Sequence, residues 1–178
     1  LGTENCELLV LNKSCMEVDV RYELPAVPVF IESHGCYDVE SKILVGCRNG
    51  FTYLIKNREL QELKFHIPSK PLGLVYLEKS IVVGGMDRVI YSYFHKGSLN
   101  FSKEMPDDII CMAKVEVKRR EGKQALAVSL RNGEVHIFID KNLLHVIKMA
   151  EPITGIKFGV YGREEGFLIM NSASGAIY

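Results

Sequence analysis

Between Met16 and Leu24, apolar and polar side chains alternate without a break. Met16, Val18, Val20, Tyr22 and Leu24 share one face, and Glu17, Asp19, Arg21 and Glu23 share the other. A period of two predicts a strand half covered by a core. Four further runs are apolar throughout: Ile43-Leu44-Val45, Ile81-Val82-Val83, Leu126-Ala127-Val128 and Leu168-Ile169-Met170. Strands of that kind are expected to be covered on both faces. If Met170 sits on such a strand, Met170→Arg buries an unpaired charge and folding fails. No segment holds a helical period over the roughly ten residues a helix needs, so the pattern predicts an all-β chain.

These strands recur. Apolar, proline-bearing lead-ins begin at Leu24, Ile67, Met105 and Lys148, spaced by 43, 38 and 43 residues. Each leads to a second apolar run, from Lys42, Ser80, Ala125 and Gly166, which turns at Gly50, Arg88, Gly133 and Gly175 into a third run. A fourth segment closes each unit, as in LQELKFHI, SLNFSKEM and LLHVIKMA. A period of about 40 to 50 residues with four strands is the signature of β-propeller blades. We therefore expect one partial propeller domain over 1–178. Its four-stranded antiparallel blades are expected at 25–67, 68–105 and 106–149, with partial blades at 1–24 and 150–178. The opening without Met and the close in a strand at Ile177-Tyr178 suggest a fragment of a larger ring.

Asn49-Gly50 and Asn132-Gly133 read as two-residue type I′ hairpins, which need positive φ at both positions. Ser174-Gly175 is a weaker version, and Asp87-Arg88 departs from the pattern, so a longer or differently shaped turn is expected there. Pro25, Pro28, Pro68, Pro71, Pro106 and Pro152 all fall at or before strand starts, where a missing N–H costs least.

Lys plus Arg equals Asp plus Glu at 22 each, so no global field favours nucleic acid or an anionic membrane. With no signal-peptide layout and no apolar run near the roughly 20 residues that span a bilayer, a soluble intracellular chain is expected. Cys6, Cys15, Cys36, Cys47 and Cys111 are an odd set without a CxxC spacing, and read as buried reduced thiols.

Particular strings carry a family resemblance: ENCELLVL, LPAVPVFIE followed by YDVE, CRNGFTYLI, RNGEVHIFIDKNLLHVI and FGVYGREEGFLIM. They resemble the N-terminal propeller of the Bardet-Biedl syndrome 1 family of BBSome subunits, from the first residues to the last. MDRVIYSYFHKG departs from the family except around His95-Lys96-Gly97. The resemblance implies a seven-bladed ring of which this chain supplies central and later blades. It also implies a subunit of a coat-like complex that moves membrane proteins to and from cilia. Implied partners are the sister subunits, a GTP-bound Arf-like small GTPase and ciliary membrane-protein cargo, with indirect membrane association. The implied location is the cytoplasm, cilium, ciliary membrane and basal body. No GTPase-contacting position is transferred to this chain.

Candidate chemistry is sparse. Lys118-Arg119-Arg120, with Lys114 and Lys123 nearby, is interleaved with Glu116 and Glu121 and reads as a solvated hairpin tip. Gly46-Cys47-Arg48-Asn49-Gly50 and Gly84-Gly85 lack the Gly-Lys-Ser/Thr ending of a phosphate loop, so they read as turns or close blade packing. Asp107-Asp108 and Glu164-Glu165 are adjacent, which sends extended side chains to opposite faces and away from shared acid-base work. His34, His66, His95, His136 and His145 are scattered, and His34 with Cys36 is the one close His/Cys pair.

We therefore assign no catalytic, cofactor or metal residue and expect a non-enzymatic interaction scaffold. The alternative is a propeller hydrolase with a central-channel site. It requires ionisable groups at inner strands that begin Val29-Phe30, Leu72-Gly73, Ile110-Cys111 and Ile153-Thr154, which largely lack them. A nucleic-acid-binding propeller is disfavoured by the absence of a basic stripe.

Overall fold

The computed structural model describes residues 1–36, 39–117 and 123–178, with side chains except at positions 62, 63, 117, 123 and 165. The described residues contain strands and no helix. They divide into two compact units, Leu1–Leu74 and Val75–Tyr178.

The first unit holds two antiparallel sheets. β1 (Gly2–Thr3), β2 (Glu7–Leu11) and β3 (Val18–Glu23) form one sheet in that order. β4 (Pro28–Cys36), β5 (Glu40–Cys47), β6 (Phe51–Lys56) and β7 (Glu59–His66) form the next. Leu8, Tyr22 and Leu24 of the first meet Ile43, Val45, Cys47 and Ile55 of the second in one buried cluster. Each fully buried aliphatic side chain in such a layer contributes about 1.5 to 3 kcal/mol of transfer free energy. Tyr22 keeps its hydroxyl satisfied by donating to the Arg58 carbonyl at 3.0 Å.

In the second unit, β8 (Pro71–Tyr76), within which the division falls, β9 (Ser80–Gly85), β10 (Val89–Phe94) and β11 (Leu99–Glu104) form a sheet. β12 (Ile109–Val117), β13 (Lys123–Leu130), β14 (Glu134–Ile139) and β15 (Asn142–Lys148) form another, and β16 (Ile153–Tyr161) pairs with β17 (Glu164–Ser172). Ala125, Ala127, Val135 and Ile137 pack against Ile153 and Met170. A Cβ added at Gly84 would come within 2.5 Å of Met112 Sδ, so a glycine there permits close approach of β9 to β12.

One turn recurs. β5–β6, β9–β10 and β13–β14 are each joined by three residues, and the third has positive φ: Gly50 at 87°, Arg88 at 64° and Gly133 at 85°. The Gly50 N–H donates to the Cys47 carbonyl at 2.9 Å and that of Gly133 to Leu130 at 3.1 Å. This is the three-residue loop that ends in a left-handed residue, and it corrects the expected type I′ turns: Asn49 and Asn132 do not have positive φ. Their side chains instead accept from the N–H of Phe51 at 3.3 Å and Glu134 at 3.0 Å. Arg88 adopts the conformation that glycine adopts elsewhere, so the Asp87-Arg88 turn is neither longer nor differently shaped.

The closing strand then bonds back to that residue. The N–H groups of Ile67, Met105 and Met149 donate to the carbonyls of Gly50, Arg88 and Gly133 at 3.1, 2.7 and 2.9 Å. Leu24 N–H donates in the same way to Cys6, whose φ is 60°. β1, β2 and β3 are therefore the counterparts of the second, third and fourth strands of the complete sheets.

Three sequence expectations need correction. Met16 precedes β3 and is 85% exposed, because the chain turns there, whereas Tyr22 and Leu24 are buried as their alternation implies. Leu168 and Ile169 of β17 are half-buried rather than enclosed, Leu168 against the same cluster that buries Met170. Among the cysteines Cys47 is buried, but Cys15 and Cys36 are exposed in turn and strand-end positions.

Candidate interaction surface

The three-residue turns and the lead-ins to first strands carry charged side chains that pair between neighbouring sheets. In the first unit Arg48, first residue of the β5–β6 loop, bonds Glu4, first residue of the β1–β2 loop, at 2.5 Å. In the second unit Asp108 holds Arg88 Nε at 2.5 Å and Arg131 Nη2 at 3.1 Å. The Arg88 guanidinium is held charged chiefly by its hydrogen bond to Asp108 and by that carboxylate's charge, with Asp107 and Glu104 adding smaller contributions. Glu151 caps the turn after β17, accepting from Ser174 Oγ at 2.5 Å and Ser174 N–H at 3.0 Å. Those hydrogen bonds hold its carboxyl below the usual range. Each pair joins a turn to a loop of another strand pair and leaves the groups on the surface.

The sequence candidates land apart from one another. Lys118, Arg119, Arg120 and Glu121 lie outside the described residues, and Lys114 and Glu116 are exposed on β12. Asp107 accepts from the Asp108 N–H at 2.8 Å, and Asp108 is committed to two arginines, so this pair serves the turn. Glu164 pairs with Tyr161 across the β16–β17 hairpin. His34 and Cys36 lie near the exposed end of β4. His66 stacks on Phe51 with ring centroids 4.3 Å apart, and His95 stacks on Tyr76 at 4.7 Å. His136 is 2.9 Å from Glu134, which lowers the Glu134 pKa. Among the described residues no three His, Cys, Asp or Glu side chains gather as a metal site would require.

The thiols are placed for packing. Burial pushes Cys47 up to about 11, and Cys111, beside the Ile153 carbonyl at 3.6 Å, is likewise pushed up to about 11. At neutral pH both stay protonated, the form that does not attack. The described surface thus offers paired charges, turns and strand edges. Glu4 and Glu151 were not singled out by sequence reasoning, and Arg48 was read only as part of a glycine-bearing turn. Their signal lies only in aligning the repeats, which puts Glu4 and Arg48 at the same turn position.

A family model described as "BBS1: Ciliary BBSome complex subunit 1" matches residues 1–56. The relatives described as "BBSome complex member BBS1" from Mus musculus and Homo sapiens are each 39% identical over 179 residues, covering 99% of this chain. The chain spans 30% of the length of those relatives. A crystal structure of BBS1N in complex with ARL6DN, soaked with mercury, shares 34% identity and superposes with a TM-score of 0.92. It covers 99% of this chain, which spans 58% of that one. The computationally designed Ika4 protein, 13% identical, shares the fold at a TM-score of 0.60 over 77% of this chain and 82% of its own. The antiparallel four-stranded sheets are propeller blades, as the periodicity predicts.

Proposed function

We propose, from the premise that this chain belongs to the BBS1 family of BBSome subunits, that it is a non-enzymatic propeller scaffold presenting binding surfaces to other proteins. The observation that carries this reading is the match of 99% of the chain to a BBS1N chain in complex with ARL6DN. On this reading, the sheets are blades of a propeller ring. That ring receives an Arf-like small GTPase in its GTP-bound form and packs against sister BBSome subunits. Recruitment by the GTPase brings the complex to the ciliary membrane indirectly, where membrane-protein cargo is collected.

The chemistry of the chain supports a scaffold over a hydrolase. Asp108, Glu134 and Glu151 are each committed to neighbouring bases or hydroxyls, and two cysteine thiols are held protonated. A catalytic acid or base needs a lone pair or proton free to meet a substrate. Neutral overall composition favours protein partners over nucleic acid.

A pull-down of the full-length protein with the Arf-like GTPase locked in its GTP or GDP state tests the reading. Capture of the GTP form alone is expected. Capture of neither form by a folded propeller would overturn the GTPase assignment.

A further inference from the structure

The outermost strands of the sheets guard their free edges unequally. β3 carries Asp19, Arg21 and Glu23, β7 carries Glu59 and Lys64, and β11 carries Lys103 and Glu104. Charges on an edge strand deter the addition of a further strand. β15, in contrast, has no carboxylate, and Lys148 at its far end is its one fully charged side chain.

It is also apolar where it is exposed. Leu143 and Leu144 are 45% and 54% exposed although adjacent, and the register explains why. Leu143 stands opposite Phe138 and His145 opposite Ile137, so Leu144 is left without a partner in a bulge. A bulge re-aims a side chain, and this one turns a leucine toward solvent. The sheet order ends on β15, so among the described residues its outer edge carries no strand.

The surrounding charge is predominantly basic. Lys141 and Lys148 flank the strand, His145 lies within it, and Lys103 reaches over from β11 to donate to the Lys141 carbonyl at 3.2 Å. The nearby carboxylates are Asp140 in the preceding turn and Glu134, which His136 at 2.9 Å and Lys148 at 3.7 Å already engage. The remaining imbalance attracts carboxylates.

We propose that β15 is a docking edge for an extended acidic segment of a partner protein, which adds to the sheet as a fifth strand. Its main chain pairs with β15, its apolar side chains cover Leu143 and Leu144, and its carboxylates approach Lys141. In this mode main-chain hydrogen bonds supply affinity and alternate side chains supply selectivity.

The test uses the full-length protein and two fluorescein-labelled peptides, one alternating valine with glutamate and one alternating valine with lysine. Only the glutamate peptide is expected to bind, with affinity falling as salt rises. Amide exchange should slow within residues 142–148 on binding. Leu144→Glu and Lys141→Glu should each weaken binding by roughly tenfold while the Tm stays unchanged, since both positions are exposed. Equal binding of both peptides, slowed exchange elsewhere, or undiminished affinity in both variants would overturn the proposal. Self-association abolished by Leu144→Glu would also overturn it, by assigning the edge to a second copy of the chain.

Discussion

Arg88 Nε donates to Asp108 Oδ1 at 2.5 Å, joining the β9–β10 turn to the lead-in of β12 across 20 residues of sequence. The same arginine has a φ of 64°, a conformation that costs a residue with a Cβ and costs glycine nothing. An exposed ion pair and a strained backbone therefore oppose each other at one residue.

Because exposed pairs contribute little, relief of the strain should dominate when the side chain is removed. Arg88→Gly is expected to keep or raise the Tm, and Arg88→Val, with a branched Cβ in the same region, to lower it by several degrees. Thermal unfolding of the two variants checks the order. A lower Tm for Arg88→Gly than for the parent would show that the ion pair outweighs the strain.

The glycines at the same turn position predict a graded series. A Cβ at Gly50 would lie 2.6 Å from the Ile67 carbonyl oxygen and 2.8 Å from that of Ser69, and one at Gly133 would lie 2.7 Å from that of Met149. At Gly175, nothing lies within 4 Å. Gly175→Ala should therefore cost about 1 to 2 kcal/mol for the left-handed backbone alone. Gly50→Ala and Gly133→Ala should each cost about 2 to 5 kcal/mol, because the closing strand must also shift. Urea unfolding distinguishes these, and equal losses at all three positions would contradict the packing.

Met170 sits at 8% exposure among Ala125, Ala127, Ile137 and Ile153. Met170→Arg should destabilise by about 3 to 5 kcal/mol, since the guanidinium would be buried in an apolar cluster. Met170→Leu, which nearly conserves volume, should cost less than about 1.5 kcal/mol. Chemical denaturation of both variants gives the comparison, and wild-type stability in Met170→Arg would place this side chain outside the core.

Alkaline stability follows from the buried thiols. Cys47 and Cys111 rise from an ordinary 9.0 to about 11 in the folded chain, mainly because burial disfavours the thiolate. The folded state therefore holds protons that the unfolded chain releases above pH 9.0. Their contribution is intact below that pH and is lost as pH rises through about 11. Denaturant midpoints across this window should fall, and should fall less in Cys47→Ala than in the parent.

Much of the fold was legible because blades repeat. The apolar runs at Ile43, Ile81 and Leu126 became buried second strands, since a strand covered on both sides leaves no polar alternation in its sequence. Cys6 hid its turn and Arg88 hid the shape of its own, because left-handed geometry is signalled by glycine and these residues adopt it without one. The Asn57-Arg58 turn, with φ of 50° and 66°, was hidden for the same reason. The surface pairs were not legible at all. Arg48 and Glu4 are 44 residues apart, and their meeting depends on how two sheets stack, which no local pattern encodes.

The most direct measurement is an experimental structure of the full-length protein bound to the GTP-loaded Arf-like GTPase. The account predicts consecutive antiparallel sheets stacked in chain order around an axis, with the GTPase seated on the propeller surface. Sheets merged into a two-layer sandwich, or a GTPase that touches only regions outside the propeller, would contradict it.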